Sequence, residues 1–222
     1  MVTNGDGPFC QLLLKVDKKD RPHLSPRTGG GITEAMSRKR VQKILDILRE
    51  TYPQAGTRLK YQNPFQLLIA VVLSAQSTDE QVNQVTSDLF SKYSTPQEMA
   101  AVPLEELQEL IKGVGLFRNK ARHIKELSAI LVEKYGGEVP REFNELIKLP
   151  GVGRKSANVV MAVGFGLPGL GVDTHVHRVS NRLGLVDAKQ PHKTEAGLKA
   201  LIPRKRWGEA HHLLSQGSGV YV

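Results

Sequence analysis

The stretch "PFQLLIAVVLSA" at 64–75 constrains this chain more than any other. Gln66 and Ser74 are its polar members, so no face of a helix built from it is hydrophilic. A segment apolar all round must be covered on every side by its own chain or by lipid. Crossing a bilayer takes about 20 such residues, and this run is well short of that. It is therefore read as the centre of a soluble core. A buried strand competes with a buried helix here, and the length favours the helix.

The flanking sequence supplies the partners such a helix needs. Val41, Ile44, Leu45 and Leu48 recur at helical spacing, as do Val82, Val85, Leu89 and Tyr93. Leu104, Leu107, Leu110 and Ile111 make another stripe, and Ile124, Leu127 and Leu131 a fourth, ending at Gly136-Gly137. "TPQE" at 95–98 reads as a capping box with Pro96 at the first helical position. "REFNELIKL", "ANVVMAVGFG", "DTHVHRVSNRLGL", "TEAGLKALIP" and "RWGEAHHLLSQ" are helix-sized units, and none of the chain alternates like a strand. The fold class is all-α, built from many short helices. Residues 1–35 mix Gly, Pro and charge and read as a flexible extension.

Thirty-one Lys and Arg face 22 Asp and Glu, a formal charge of +9 that is compatible with a polyanionic partner. Cys10 is the single cysteine, so neither an internal disulfide nor a cysteine-ligated metal cluster can be built. No signal-peptide layout opens the chain.

"LPGVGRKSANVV" at 149–160 carries the chemistry. A dinucleotide fingerprint would need a preceding strand and a third glycine. A nucleotide-binding P-loop would not tolerate Arg154 between Gly153 and Lys155. A helix ending at Leu149, a glycine turn and a new helix from about Arg154 fit better. The N–H groups of such a turn can hold a phosphate without reading sequence. A plain turn between two helices is the alternative. "GVGLFRNKA" at 113–121 echoes the motif and suggests a second turn of this kind.

"LPGVGRKSANVV" followed by "VDTHVHRVSNRLGL" resembles the signature of the helix–hairpin–helix DNA glycosylase superfamily, and most of all its endonuclease III branch. The resemblance runs from about residue 36 to about 216, through "NPFQLLIAVVLSAQSTD", "IKGVGLFRNKA" and "GEVP". It implies two helical subdomains with a DNA-binding cleft between them: residues 57–167 as six helices with the hairpin, and 36–56 with 168–222 as the second. It implies Lys155 as the nucleophilic amine and Asp173 as the essential carboxylate. Gly151, Val152 and Gly153 would bind a DNA phosphate, with Arg154, Ser156 and His175 beside them. Gln76 would fill the gap left by an extruded base, and Leu116 would wedge into the opposite strand. A monovalent cation between hairpin and phosphate is a further implication of the family, as is a damaged duplex as the partner. A monomer without a membrane anchor is expected, in the bacterial cytoplasm with the nucleoid, or in a eukaryotic nucleus.

The chemistry agrees with these residue types. An extruded base leaves a vacancy, and side chains that plug it offset a cost of a few kcal/mol. An amine attacks C1′ only when unprotonated, and a helix start disfavours a second positive charge. Asp173 also suits the N-cap of the helix after it, and capping does not exclude catalysis. If Lys155 were not the nucleophile, Lys120 in the echo motif would be next. His175 and His177 suit phosphate or packing roles better than metal binding. His211 and His212 are read as structural and, being adjacent, as not facing each other. Most endonuclease III relatives continue past "HHLL" into a four-cysteine iron–sulfur loop, and this sequence lacks those cysteines, so no cluster is expected. The function expected is a bifunctional glycosylase and abasic-site lyase acting on oxidised pyrimidines. A monofunctional glycosylase and a catalytically silent DNA-binding module are the alternatives.

Overall fold

A computed structural model of the protein describes residues 38–216. The extension at 1–35, Cys10 and the tail beyond Gln216 lie outside the described residues. Among those described, every regular element is a helix, as the periodicities require. The chain divides into two compact units, one continuous over Thr57–Gly171 and one drawing on Met1–Gly56 and Val172–Val222.

The continuous unit is organised around the apolar run. Helix α2, Pro64–Leu73, is buried from Phe65 to Leu73. It starts where it does because the Asn63 side chain accepts from the Gln66 N–H at 2.9 Å and Pro64 fits the first position. Gln66 is tolerated in the core because its Oε1 accepts from the Gln62 N–H at 2.9 Å. Around α2 stand α3 (Asp79–Lys92), α4 (Pro96–Ala101), α5 (Leu104–Leu110), α6 (Phe117–Tyr135), α7 (Phe143–Leu146) and α8 (Arg154–Val159), and a π-helical turn, Val160–Gly164, follows α8. α2 packs directly on α3, α6, α8 and the π turn, and α4 lies along α6. The Thr95–Glu98 capping box is formed, and a second one, Thr78 with Gln81, starts α3. Gly136 and Gly137 end α6 in the left-handed region, with φ of 61° and 87°.

The other unit contains α1 (Arg38–Thr51), α9 (Thr174–Arg182), α10 (Pro191–Leu201), a 3₁₀ turn at Arg204–Arg206 and α11 (Trp207–Gln216). Val41, Ile44, Leu45 and Leu48 form the buried face of α1, which packs on α11. Arg206 joins the two helices, with Nε donating to Glu209 at 2.9 Å and Nη1 to Asp46 at 2.8 Å. Burial alone would raise the Glu209 pKa, but the bonds from Arg206 and Arg49 outweigh it and hold the carboxyl below its usual value.

Three expectations need correction. The helix before the hairpin stops at Leu146 rather than Leu149. The Leu149 N–H makes only a tight i−3 turn to the Leu146 carbonyl at 3.1 Å, and the residue before a proline is pushed out of the helical region. "ANVVMAVGFG" is not one regular helix: α8 ends at Val159 and widens into the π turn. The returning chain lies against that turn so closely that a Cβ on Gly169 would fall 2.1 Å from the Asn158 carbonyl oxygen. His211 and His212 do meet, with ring centroids 4.9 Å apart and planes tilted by 59°.

Candidate functional site

The hairpin at 149–153 is held from beneath. Gly151 has φ of 77°, and a Cβ there would meet the Cβ of His123 at 3.1 Å and Cγ1 of Val72 at 3.2 Å. Both conformation and space therefore demand glycine. Val152 turns inward and is buried, and its N–H closes the turn onto the Leu149 carbonyl at 3.1 Å. Gly153 is the N-cap of α8, with φ of −89° and nothing near a Cβ position. No side chain caps α8 and no acidic residue occupies its first turn. The helix start therefore presents its N–H groups and partial positive charge to whatever approaches.

The first turn of α8 carries Arg154, Lys155 and Ser156. Arg154 is exposed, with its guanidinium 4.9 Å over the Phe143 ring. Lys155 and Ser156 are half-buried. The Lys155 amine makes no hydrogen bond or ion pair to a described residue. Asn158 braces this turn from the core, with Nδ2 donating to the Arg154 carbonyl at 2.9 Å and Oδ1 accepting from the Leu170 N–H at 3.1 Å.

Asp173 caps α9, and its Oδ1 accepts the Val176 N–H at 2.9 Å. One oxygen of the half-buried carboxylate is thus engaged by the helix start. His175 is exposed in the first turn of α9, whereas His177 faces inward and pairs through Nδ1 with Thr194 Oγ1 at 2.7 Å. Among the described residues no group of three or more His, Cys, Asp or Glu is placed to hold a metal. The sequence contains one cysteine, Cys10.

Gln76 and Leu116 share a property that sequence reasoning did not reveal. They are the non-glycine residues with positive φ among those described, at 54° and 56°. Each such placement costs roughly 1–2 kcal/mol and persists where the surroundings dictate it, often at functional positions. Leu116 is 59% exposed, the most exposed large apolar side chain described. The two turns lie side by side: the Gly115 N–H donates to Ser77 Oγ at 3.1 Å, and a Cβ on Gly115 would sit 3.1 Å from the Gln76 carbonyl oxygen.

Lys120 proves unsuited to the role of substitute nucleophile. It is 4% exposed, and its Nζ donates to the Leu73 carbonyl at 2.8 Å and to Ser77 Oγ at 3.1 Å. Burial lowers its pKa. Reach, not protonation, removes it from the chemistry. Its position was legible: 120, 124, 127 and 131 fall on one stripe, so a lysine there had to enter the core.

Comparison with known proteins agrees with this geometry. A family model described as HhH-GPD superfamily base excision DNA repair protein matches residues 69–204. The chain is 51% identical over 177 residues to endonuclease III of Bacillus subtilis (strain 168), covering 79% of this chain and 81% of that one. It is 50% identical over 165 residues to endonuclease III of Thermotoga maritima, covering 74% and 78%. A solved trapped covalent intermediate of endonuclease III with DNA superposes with a TM-score of 0.77 at 51% identity, over 81% of this chain and 84% of that one. A non-covalent endonuclease III–DNA complex superposes with the same TM-score at 50% identity over the same shares.

Proposed function

The chain belongs to the HhH-GPD superfamily of base excision DNA repair proteins and, within it, to the endonuclease III group, and from that premise we propose that it is a bifunctional DNA glycosylase and abasic-site lyase acting on oxidised pyrimidines in duplex DNA. The observation that carries the proposal is the lysine with no partner among the described residues, on the first turn of an uncapped helix directly behind the Gly151–Gly153 hairpin.

In this reading the hairpin N–H groups and Arg154 hold a phosphate, with Ser156 and His175 as further backbone contacts. Gln76 enters the space of the extruded base and Leu116 the opposite strand. The Lys155 nitrogen donates its lone pair to C1′, and the glycosidic bond breaks, its electron pair leaving with the base. The carboxylate of Asp173 stabilises the positive charge that gathers at C1′. Opening of the sugar gives a protonated Schiff base on Lys155. Loss of a C2′ proton then expels the 3′ phosphate by β-elimination, and water releases the lysine.

The chemistry needs no redox cofactor. Among the described residues no backbone N–H donates to the carbonyls of Gly151 and Val152, and such neutral oxygens suit a hard monovalent cation, which would screen the phosphate. The protein is proposed to act as a monomer, in the bacterial cytoplasm where its DNA lies.

A thymine-glycol duplex and an abasic-site duplex test the reading, each with and without borohydride. Base release, strand cleavage and a borohydride-dependent covalent adduct are expected together. Base release without adduct or cleavage would make the protein monofunctional, and binding alone would make it a silent module.

A further inference from the structure

Resting on the reading of Gln76 and Leu116 as duplex-entering side chains, we infer that Ser77 and Lys120 are positioning residues that fasten the two turns into one rigid wedge. Gln76 and Leu116 belong to turns forty residues apart in sequence, one after α2 and one before α6. Neither turn has a regular element joining it to the other. What joins them is a single hydroxyl: Ser77 Oγ accepts from the Gly115 N–H at 3.1 Å and from Lys120 Nζ at 3.1 Å. The same amine reaches the Leu73 carbonyl at 2.8 Å, on the last residue of α2. Helix C-termini leave carbonyls unmet and favour a cation, so the ammonium is held at the end of the helix that launches the Gln76 turn. Lys120 itself sits one turn into α6, four residues after Leu116. The amine thus spans from one wedge's helix to the other's.

Core packing alone does not account for this. A buried lysine is costly, and no carboxylate among the described residues pairs with it. A methionine would fill the same space without that cost. The polar contacts set a distance and an orientation instead. Two left-handed side chains persist only where their surroundings over-determine them, and the Ser77–Lys120 link supplies that constraint on both at once. Its consequence is that Gln76 and Leu116 meet the duplex already spaced, so less ordering is left for the binding step.

The test compares single-turnover release of thymine glycol from a fully paired duplex with release from a duplex whose lesion lies in a short mismatched bubble, where extrusion is already largely done. Ser77→Ala and Lys120→Met are expected to slow the paired substrate roughly tenfold or more and the bubble by no more than about twofold. Ser77→Thr, which keeps the hydroxyl, should recover most of the loss. Equal losses on both substrates, or no loss on either, would overturn the inference. If Lys120→Met does not fold, Ser77→Ala decides alone. Gln76→Ala and Leu116→Ala separate this claim from the one beneath it. If they leave the ratio of the two rates at the wild-type value, the insertion reading fails. If they lower it while Ser77→Ala does not, the link alone fails.

Discussion

Gly113-Val114-Gly115 and Gly151-Val152-Gly153 are the same three letters, each followed within a few residues by a lysine, in the same unit of the molecule. In the first, both glycines make room: a Cβ at Gly113 would press on Val85 Cγ1 at 3.0 Å, and one at Gly115 on the Gln76 carbonyl at 3.1 Å. The left-handed residue is Leu116, and what the turn offers to solvent is a side chain. In the second, Gly151 takes the left-handed conformation itself, and Gly153 stands in open space at the start of α8. What that turn offers is bare backbone. The lysines follow suit, Lys120 spent on holding turns together and Lys155 left with its amine free of partners among the described residues. A repeated motif thus marks a repeated need for a tight turn, while the neighbours decide whether side chain or main chain is displayed.

The contrast between the lysines is the first thing to break. Lys155→Ala should abolish borohydride trapping and strand cleavage, by on the order of 10³-fold or more, as expected for a lost nucleophile. Lys120→Met should still trap on an abasic-site duplex. Binding of damaged DNA by Lys155→Ala should stay close to wild type, because hairpin N–H groups and other basic side chains hold the backbone. A trapped adduct that survives Lys155→Ala would end the distinction.

In the proposed reaction Asp173 stabilises charge at C1′, and in the structure it caps α9. Asp173→Asn keeps the cap on α9, since Asn caps about as well as Asp, yet should lower turnover by roughly 10²-fold, the scale of one lost electrostatic stabiliser. Asp173→Ala should add a loss of about 1 kcal/mol in denaturant unfolding. A fully active Asp173→Asn would reduce Asp173 to a cap.

Two glycine experiments sharpen the contrast between the turns. Gly151→Ala combines a left-handed φ with crowding by His123 and Val72 and should destabilise by about 1–2 kcal/mol, whereas Gly153→Ala should change unfolding free energy by no more than about 0.5 kcal/mol. Leu116→Gly should do the reverse of ordinary core damage. Relief of the left-handed strain stabilises by about 1 kcal/mol or slightly less, seen as a raised melting temperature, while base release from a paired duplex slows. A Leu116→Gly protein that melts lower would show that the leucine is not strained.

Helix content and the glycine hairpin at 151–153 were legible because both are local. Periodicity placed Val41, Ile44, Leu45 and Leu48 on one face, and the structure buries all four. Proline and Thr95 fixed the start of α4, and Asp173 the start of α9. The resemblance supplied the family, which the comparisons show. What was not legible depends on contacts remote in sequence. The π turn after α8 lies where Gly169 of the returning chain comes against Asn158; the early end of α7, by contrast, has a local signal in Pro150 that the helix spacing overrode. The left-handed φ of Gln76 and Leu116 has no signature in residue type, since neither is a residue that favours it. The meeting of Lys120 with Ser77 joins positions 43 apart, and only folding brings them together.

The second unit is assembled from segments on either side of the continuous one, with α1 packed on α11 and bound to it through Arg206 and Glu209. That arrangement has a timing built into it. As the chain leaves the ribosome, α2 to α8 form one uninterrupted stretch and can close their core as soon as Gly171 has emerged. Of the described helices α1 precedes that stretch, and its buried face of Val41, Ile44, Leu45 and Leu48 packs on α11, which follows it. The lysine therefore acquires its setting early in synthesis, and the unit that carries Asp173 is completed late. A chain halted between those two moments would hold a finished Gly151–Gly153 turn while the packing of α9 on α11 was still unmade.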